Sequence, residues 1–249
     1  MARRYRNPPI VEAVCEFRFP PDSPWDLTIP GLVYERIKGA FPEKRQAPMF
    51  GFGIRLGPQG AIEQQVEPST RMQFLSRDGK ALVQVGPNLL AVNHLKPYPG
   101  WDAFVPMIQQ AYRANVETAP PTAIQRIGLR YINRFELPGP RVELEEYLNF
   151  YPYLGHDLPQ DFGEFTVRIQ TAFNALRDGL QMTLASADAG NADVNVFVLD
   201  IDYFLAKPGT IGTHEAFSWV DEAHDRLEQV FEGCISDKLR QLFQMEENE

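Results

Sequence analysis

Apolar and polar residues alternate through Ile10-Val-Glu-Ala-Val-Cys-Glu-Phe-Arg-Phe19, which predicts a strand. Val11, Ala13, Cys15, Phe17 and Phe19 fall on one side of it, and Glu12, Val14, Glu16 and Arg18 on the other. Pro20-Pro21 ends it, because proline lacks a ladder donor and restricts its predecessor. Thr28–Lys38 then predicts a short helix, with Thr28 as cap and Leu32, Val33 and Ile37 turned inward. Short strands are predicted over Met49–Leu56, Ala61–Glu67, Arg71–Ser76, Ala81–Val85 and Leu89–His94, punctuated by the turn sequences GPQG, EPST, RDGK and GPN. Trp101, Phe104, Ile108, Ala111, Tyr112 and Val116 recur at three- and four-residue steps, the spacing of a helix laid on a core.

After Ala119-Pro-Pro121 the cycle begins again. A long strand, Ile124–Leu137, leads to a short helix near Val142–Phe150 and then to strands over Phe162–Phe173, Leu180–Ala187 and Val194–Leu205. Hairpins are expected at Arg177-Asp-Gly179 and Asp188-Ala-Gly-Asn191. The apolar stripe from Phe217 to Phe243 predicts one continuous closing helix of about seven turns, followed by a frayed tail, Met245–Glu249. The order strand–helix–antiparallel strands–long helix thus occurs twice. It predicts an α+β protein of two similar halves, 1–119 and 120–249, each an antiparallel sheet covered by its long helix. This order resembles the TATA-binding-protein-like and helix-grip folds, a likeness of shape that carries no function.

Charge changes the reading of the second long strand. The chain carries 33 acidic and 24 basic residues, a formal charge of -9, yet IQRIGLRYINRFE lines up Arg126, Arg130 and Arg134 on one face. They stand about 13 Å apart per step, too far for all three to grip one small anion. Glu12 and Glu16 occupy the polar face of the equivalent strand in the first half, so a salt-bridged seam is the first expectation. A recognition surface for a protein partner or polar ligand is the second, because guanidinium forks suit carboxylate and phosphate. Arg168 is expected to face the same class of surface and to pair with Asp200 or Asp202. Those two carboxylates share a face but have no third ligand at a recognisable spacing, so no metal is predicted.

Other chemistry is sparse. His94, His156, His214 and His224 show no metal-ligand spacing, and His224, on the apolar edge of the last helix, is expected to be packed and hydrogen-bonded. GxSxG, GxGxxG and GxxxxGK[ST] patterns are absent from the sequence, and no cofactor is expected. Cys15 and Cys234 fall on apolar faces, which predicts buried free thiols and a reducing, cytoplasmic setting. The N-terminus has basic residues without a secretory apolar segment, and nothing approaches the roughly 20 apolar residues of a spanning helix. The acidic balance disfavours nucleic acid and anionic membranes as partners. The expected function is noncatalytic binding of a protein partner or polar ligand. The alternatives are an enzyme with a cleft between the halves and a structural homo-oligomer.

Pro8-Pro-Ile-Val-Glu-Ala-Val14, Leu82-Val-Gln-Val-Gly86 to Asn93, Tyr98-Pro-Gly-Trp101, Ile127-Gly-Leu-Arg-Tyr-Ile-Asn-Arg134 and Leu199-Asp-Ile-Asp202 together resemble a sporadically distributed bacterial family of much this chain's length. The family is functionally uncharacterised. The resemblance covers nearly the whole chain and implies a bacterial cytoplasmic setting. It supplies no activity, substrate or catalytic residue.

Overall fold

The first strand forms as the alternation predicts, over β1 (Ile10–Arg18), with Ala13, Cys15 and Phe17 fully buried. A computed structural model describes residues 5–56, 62–139, 141–159, 163–188 and 193–244, and the side chains of these outside 48–56 and 62–70. The expected turns at 57–60 and 188–191, the strand starts at Ala61 and Phe162 and the frayed tail 245–249 lie wholly or partly outside the described residues.

After β1 come α1 (Ile29–Ile37) and four strands, β2 (Glu43–Leu56), β3 (Ile62–Leu75), β4 (Ala81–Gly86) and β5 (Leu89–Leu95). The long helix α2 (Trp101–Thr118) ends the first half. The second half contains β6 (Arg126–Pro138), α3 (Leu144–Tyr147), β7 (Thr166–Phe173), β8 (Asp178–Ala187) and β9 (Val194–Leu205). It closes with α4 (Ala216–Cys234) and α5 (Asp237–Leu242).

Instead of one sheet per half, all the strands form one nine-stranded antiparallel sheet in the order β2-β3-β4-β5-β1-β6-β9-β8-β7. The join is β1 against β6, with Ala13 opposite Tyr131 and Phe17 opposite Ile127. Left apart, each half would expose its first strand as an open edge. Pairing the two satisfies both rows of backbone donors and acceptors at once.

The long helices share one face of this sheet. Tyr112 of α2 meets Phe17 of β1 at 4.6 Å between ring centroids, and His224 of α4 meets Tyr131 of β6. Phe17 and Tyr131 point the same way, since each lies opposite a core-facing residue of the neighbouring strand. The helices also touch each other, through Trp101 on His224 and Tyr112 on Phe217, so they run side by side in opposite directions. Phe104, Ile108 and Ala111 of α2, and Trp219, Val220, Ala223 and Leu227 of α4, are buried in the core beneath them.

Several local expectations are corrected. Glu67-Pro-Ser-Thr70, read as a turn, continues β3, where Pro68 lies opposite Phe50. β4 pairs with Met72–Leu75, so the part of β3 at Pro68 has no second neighbour among the described residues and tolerates a missing donor. Leu32 of α1 is exposed at 49% while Ile29, Val33 and Ile37 are buried. Thr28 makes no side-chain cap. Asp26 Oδ1 instead accepts from the backbone N–H groups of Thr28 and Ile29. The hairpin before β8 turns earlier than expected, at Asn174–Leu176, and Asp178 enters the strand fully buried.

The closing helix is two helices, because the chain leaves helical geometry at Ile235 and Ser236. Ile235 bridges to Leu148, and Ser236 Oγ donates to the Glu146 carbonyl while its side chain caps α5. These contacts with α3 bury Leu148 and Ile235 completely, which a straight helix would not. Among the described residues no helix is long and apolar enough to cross a membrane.

Candidate functional site

The residues singled out in the sequence lie on the sheet face opposite the helices. Arg126 donates to Asp202 at 2.8 Å and to Glu16 at 3.3 Å, with its guanidinium over the Phe204 ring. Gly128 makes room for this, since a Cβ there would stand 2.5 Å from Arg126 Nη1. Arg130 forks onto Asp200 through Nε and Nη2 at 2.7 and 2.5 Å. Arg134 pairs with Glu136 of its own strand, and Arg168, on the edge strand, donates to Gln181. Asp200 and Asp202 thus take Arg130 and Arg126 as partners, where Arg168 was expected. The register explains it, because Thr183 of β8 stands between Asp200 and Arg168.

Glu16 is also gripped by Arg18 at 2.9 and 3.0 Å, while Glu12 accepts from Asn93 at 2.7 Å. That last bond ends an amide ladder across five strands. Arg45 donates to Gln73, Gln73 to Gln84, Gln84 to Asn93, and Asn93 to Glu12. Gln73, Gln84 and Asn93 are buried and satisfied. Most of the groups named on this face are therefore internally paired, although Arg71 Nε, on the same side of β3 as Gln73, is buried with no hydrogen-bond partner among the described residues. Among the described residues no group of three or more His, Cys, Asp or Glu side chains is placed to hold a metal ion.

The other face holds a cleft of about 770 Å³ where the two halves meet. Its walls are the segment from Tyr5 to Ile10, the entry to α2 at Tyr98–Asp102, strand β6 at Tyr131 and Asn133, and the α4 turns from His224 to Glu232. Gly100 sets the approach to α2 with φ +90°, a conformation that costs a side-chain-bearing residue strain. It brings Trp101 flat onto His224, with ring centroids 4.1 Å apart and planes 12° from parallel.

A hydrogen-bonded chain runs through this wall. Tyr98 and Tyr131 hydroxyls are 3.4 Å apart, and the Tyr131 hydroxyl is 2.9 Å from His224 Nδ1. His224 Nε2 lies 3.4 Å from a Glu228 carboxylate oxygen. A carboxylate can only accept, so the Nε2–H tautomer is the one that suits this contact. Nδ1 is then an acceptor, Tyr131 donates to it, and Tyr98 donates to Tyr131. Burial pushes the His224 pKa down to about 4 although Asp225 and Asp102 favour the charged form. Burial pushes both tyrosines up, with their mutual interaction adding to the rise at Tyr131. Burial and the neighbouring Asp225 and Glu232 also raise Glu228. At neutral pH the imidazole and both phenols are neutral.

One atom in the wall has no partner among the described residues. Asn133 is 1% exposed, and its Nδ2 donates to the carbonyls of Leu199 and Tyr131 at 3.1 and 3.4 Å. Flipping the amide would set oxygen against both carbonyls, so the orientation is fixed. Its Oδ1 is buried without a hydrogen bond from any described residue. Such an acceptor costs about 1–3 kcal/mol unless something donates to it.

The sequence reading placed His224 as packed and hydrogen-bonded, and it is both. It did not assemble Tyr98, Trp101, Tyr131, Asn133 and Glu228 into a site. A signal for one of them was present. Asn133 is the polar member of the series Ile127, Leu129, Tyr131, Asn133, Phe135 on the core-facing side of β6. The comparisons add no relative to this geometry: no protein-family model matches the chain, and no curated protein matches it.

Proposed function

We propose that the protein is a noncatalytic binding protein that holds a small polar ligand in the cleft between its halves. The observation that carries this reading is Asn133, which lines a cavity of ligand size and whose oriented, buried Oδ1 has no donor among the described residues. The states of the surrounding groups support binding over turnover. His224 is neutral and its low pKa makes it a weak base, while Tyr98 and Tyr131 hold their protons. The thiols of Cys15 and Cys234 are buried, with pKa values raised by burial, which makes them inert and suits a reducing, cytoplasmic setting. The repeated order of elements suits an internal duplication whose two units meet at a shared cleft, and the family resemblance suits a bacterial host.

A second reading, an enzyme in the same cleft, rests on the Glu228–His224–Tyr131–Tyr98 chain, which could pass a proton to a bound molecule. Protein purified from its native host, then denatured and extracted, separates these outcomes. The expected result is a stoichiometric small molecule by mass spectrometry, recovered unchanged after incubation with fresh protein and depleted from the Asn133→Leu variant. Conversion of that molecule would favour the enzyme. An extract without any small molecule from correctly folded protein would overturn the binding reading.

A further inference from the structure

We infer that the outer strand β7 is the seam of a homodimer, pairing antiparallel with β7 of a second copy about a two-fold axis at Ile169. The nine-stranded sheet has two edges. At one, β2 opens with Glu43-Lys44-Arg45 and carries Pro48, the charges and proline that keep a sheet edge from pairing. At the other, β7 reads Thr166-Val-Arg-Ile-Gln-Thr-Ala-Phe173, rich in β-branched residues, with one charge and no proline. Its register with β8 runs without a bulge, and every residue but Val167 and Phe173 is exposed. Among the described residues β8 is its only neighbouring strand.

The backbone decides what this edge offers. The Ser186 N–H donates to the Phe165 carbonyl, in step with the β7–β8 register, so the odd-numbered residues of β7 bond to β8. Thr166, Arg168, Gln170 and Ala172 therefore turn their N–H and C=O groups outward. A second β7 must meet them with its own even-numbered residues, which excludes half of all registers. Centring the pair on Arg168 sets two guanidiniums opposite each other, and centring it on Gln170 leaves Thr166 facing the turn at Asn174. Centring it on Ile169 sets Arg168 opposite Gln170 and Thr166 opposite Ala172 of the second copy. Each of these pairs exchanges two hydrogen bonds, and all the outward residues of both strands are used.

The side chains agree with that register. Ile169 lies on the helix side of the sheet, in line with Met182, Ile201 and Tyr131, and is 45% exposed. The axis places it against its own copy, with Val167 against Thr171 on either side. On the other face Arg168 is drawn inward by its bond to Gln181, clear of the axis. Self-pairing closes both open edges with one isologous contact, which a foreign strand would not do.

The test reads the mass of the full chain by sedimentation equilibrium at micromolar concentration in reducing buffer. Wild type should sediment at twice the chain mass. Gln170→Pro removes an outward donor and no bond to β8, and Ile169→Lys sets two ammoniums on the axis. Each should sediment as a monomer with an unchanged circular-dichroism spectrum. Ile169 is exposed, so its variant keeps the test decisive if Gln170→Pro fails to fold. Under oxidation Ile169→Cys should form a disulfide-linked dimer, because a non-hydrogen-bonded pair brings its Cα atoms to about 4.5 Å, within disulfide reach. Thr171→Cys, which faces Val167 of the second copy, should not. A monomeric wild type, a dimer that survives both edge substitutions, or cross-linking at Thr171 in place of Ile169 would overturn the seam.

Discussion

The hydroxyl of Tyr131 stands 2.9 Å from Nδ1 of His224, tying the central strand β6 to helix α4 at the wall of the inter-half cleft. Nε2 faces the Glu228 carboxylate, which suits the Nε2–H tautomer, and burial keeps the ring neutral well below its ordinary range. Long-range ¹H–¹⁵N spectra should show His224 as the Nε2–H tautomer at pH 6, with protonation only near pH 4. A titration near 6.5 would contradict this arrangement. Stability follows from the same shift. Between about pH 6.5 and 4 the unfolded imidazole takes a proton that the folded one refuses, so His224 lowers stability as pH falls, by up to about 1.4 kcal/mol per pH unit. The raised pKa of Glu228 acts in the opposite direction, adding stability as the folded carboxyl takes up its proton. Comparing urea melts of wild type and His224→Gln across that window isolates the histidine.

Arg130 and Asp200 form a fork on the polar sheet face, with Asp202 and Glu12 near enough to raise the arginine's pKa further. Reversing the charge in Arg130→Glu leaves a new carboxylate facing Asp200. The variant should lose about 1–3 kcal/mol in denaturant melts. Raising the ionic strength should recover part of that loss, because Arg130 is half-exposed and the repulsion is screened. An unchanged melt would make Arg130 an ordinary solvated side chain.

Asp178 is fully buried yet ionised. Burial alone would raise its pKa, but Arg177, Trp219 and Asn174 donate to it and hold it below the ordinary value. Removing the carboxylate in Asp178→Ala leaves Trp219 Nε1 and the Tyr203 hydroxyl without their acceptor and Arg177 with Glu222, and should cost about 3–5 kcal/mol. The sign with pH is the reverse of His224. Its contribution is complete above the unfolded pKa of 3.8 and is lost as pH falls from there through the lower folded value. Acid unfolding of wild type and variant should therefore converge at low pH.

Leu227 and Leu32 test the packing. Leu227, fully buried and bordering the cleft, should cost about 2–5 kcal/mol as Ala, whereas exposed Leu32 should stay within about 0.5 kcal/mol. Equal losses in thermal or urea melts would mean that α4 and α1 are packed differently from the arrangement described.

The sequence by itself determined the elements and the sidedness of most of them. Period-two alternation placed Ala13, Cys15 and Phe17 in the core, and helical spacing did the same for Phe104, Ile108 and Leu227. Each of those signals is local, because a residue's side of a strand or helix depends on its immediate neighbours. The breaks were harder to read. Ser236 ends α4 through bonds to the α3 region, and Asp178 leaves the turn for a buried site built with Trp219 and Tyr203. Only the tertiary structure decided that β1 and β6 join two expected sheets into one, and that α2 and α4 lie together on it. Edge pairing and helix docking depend on which distant surfaces satisfy each other, and no window of neighbouring residues contains that information. The cleft follows from those two events, since Tyr98 and Trp101 come from one half and Tyr131, Asn133 and His224 from the other.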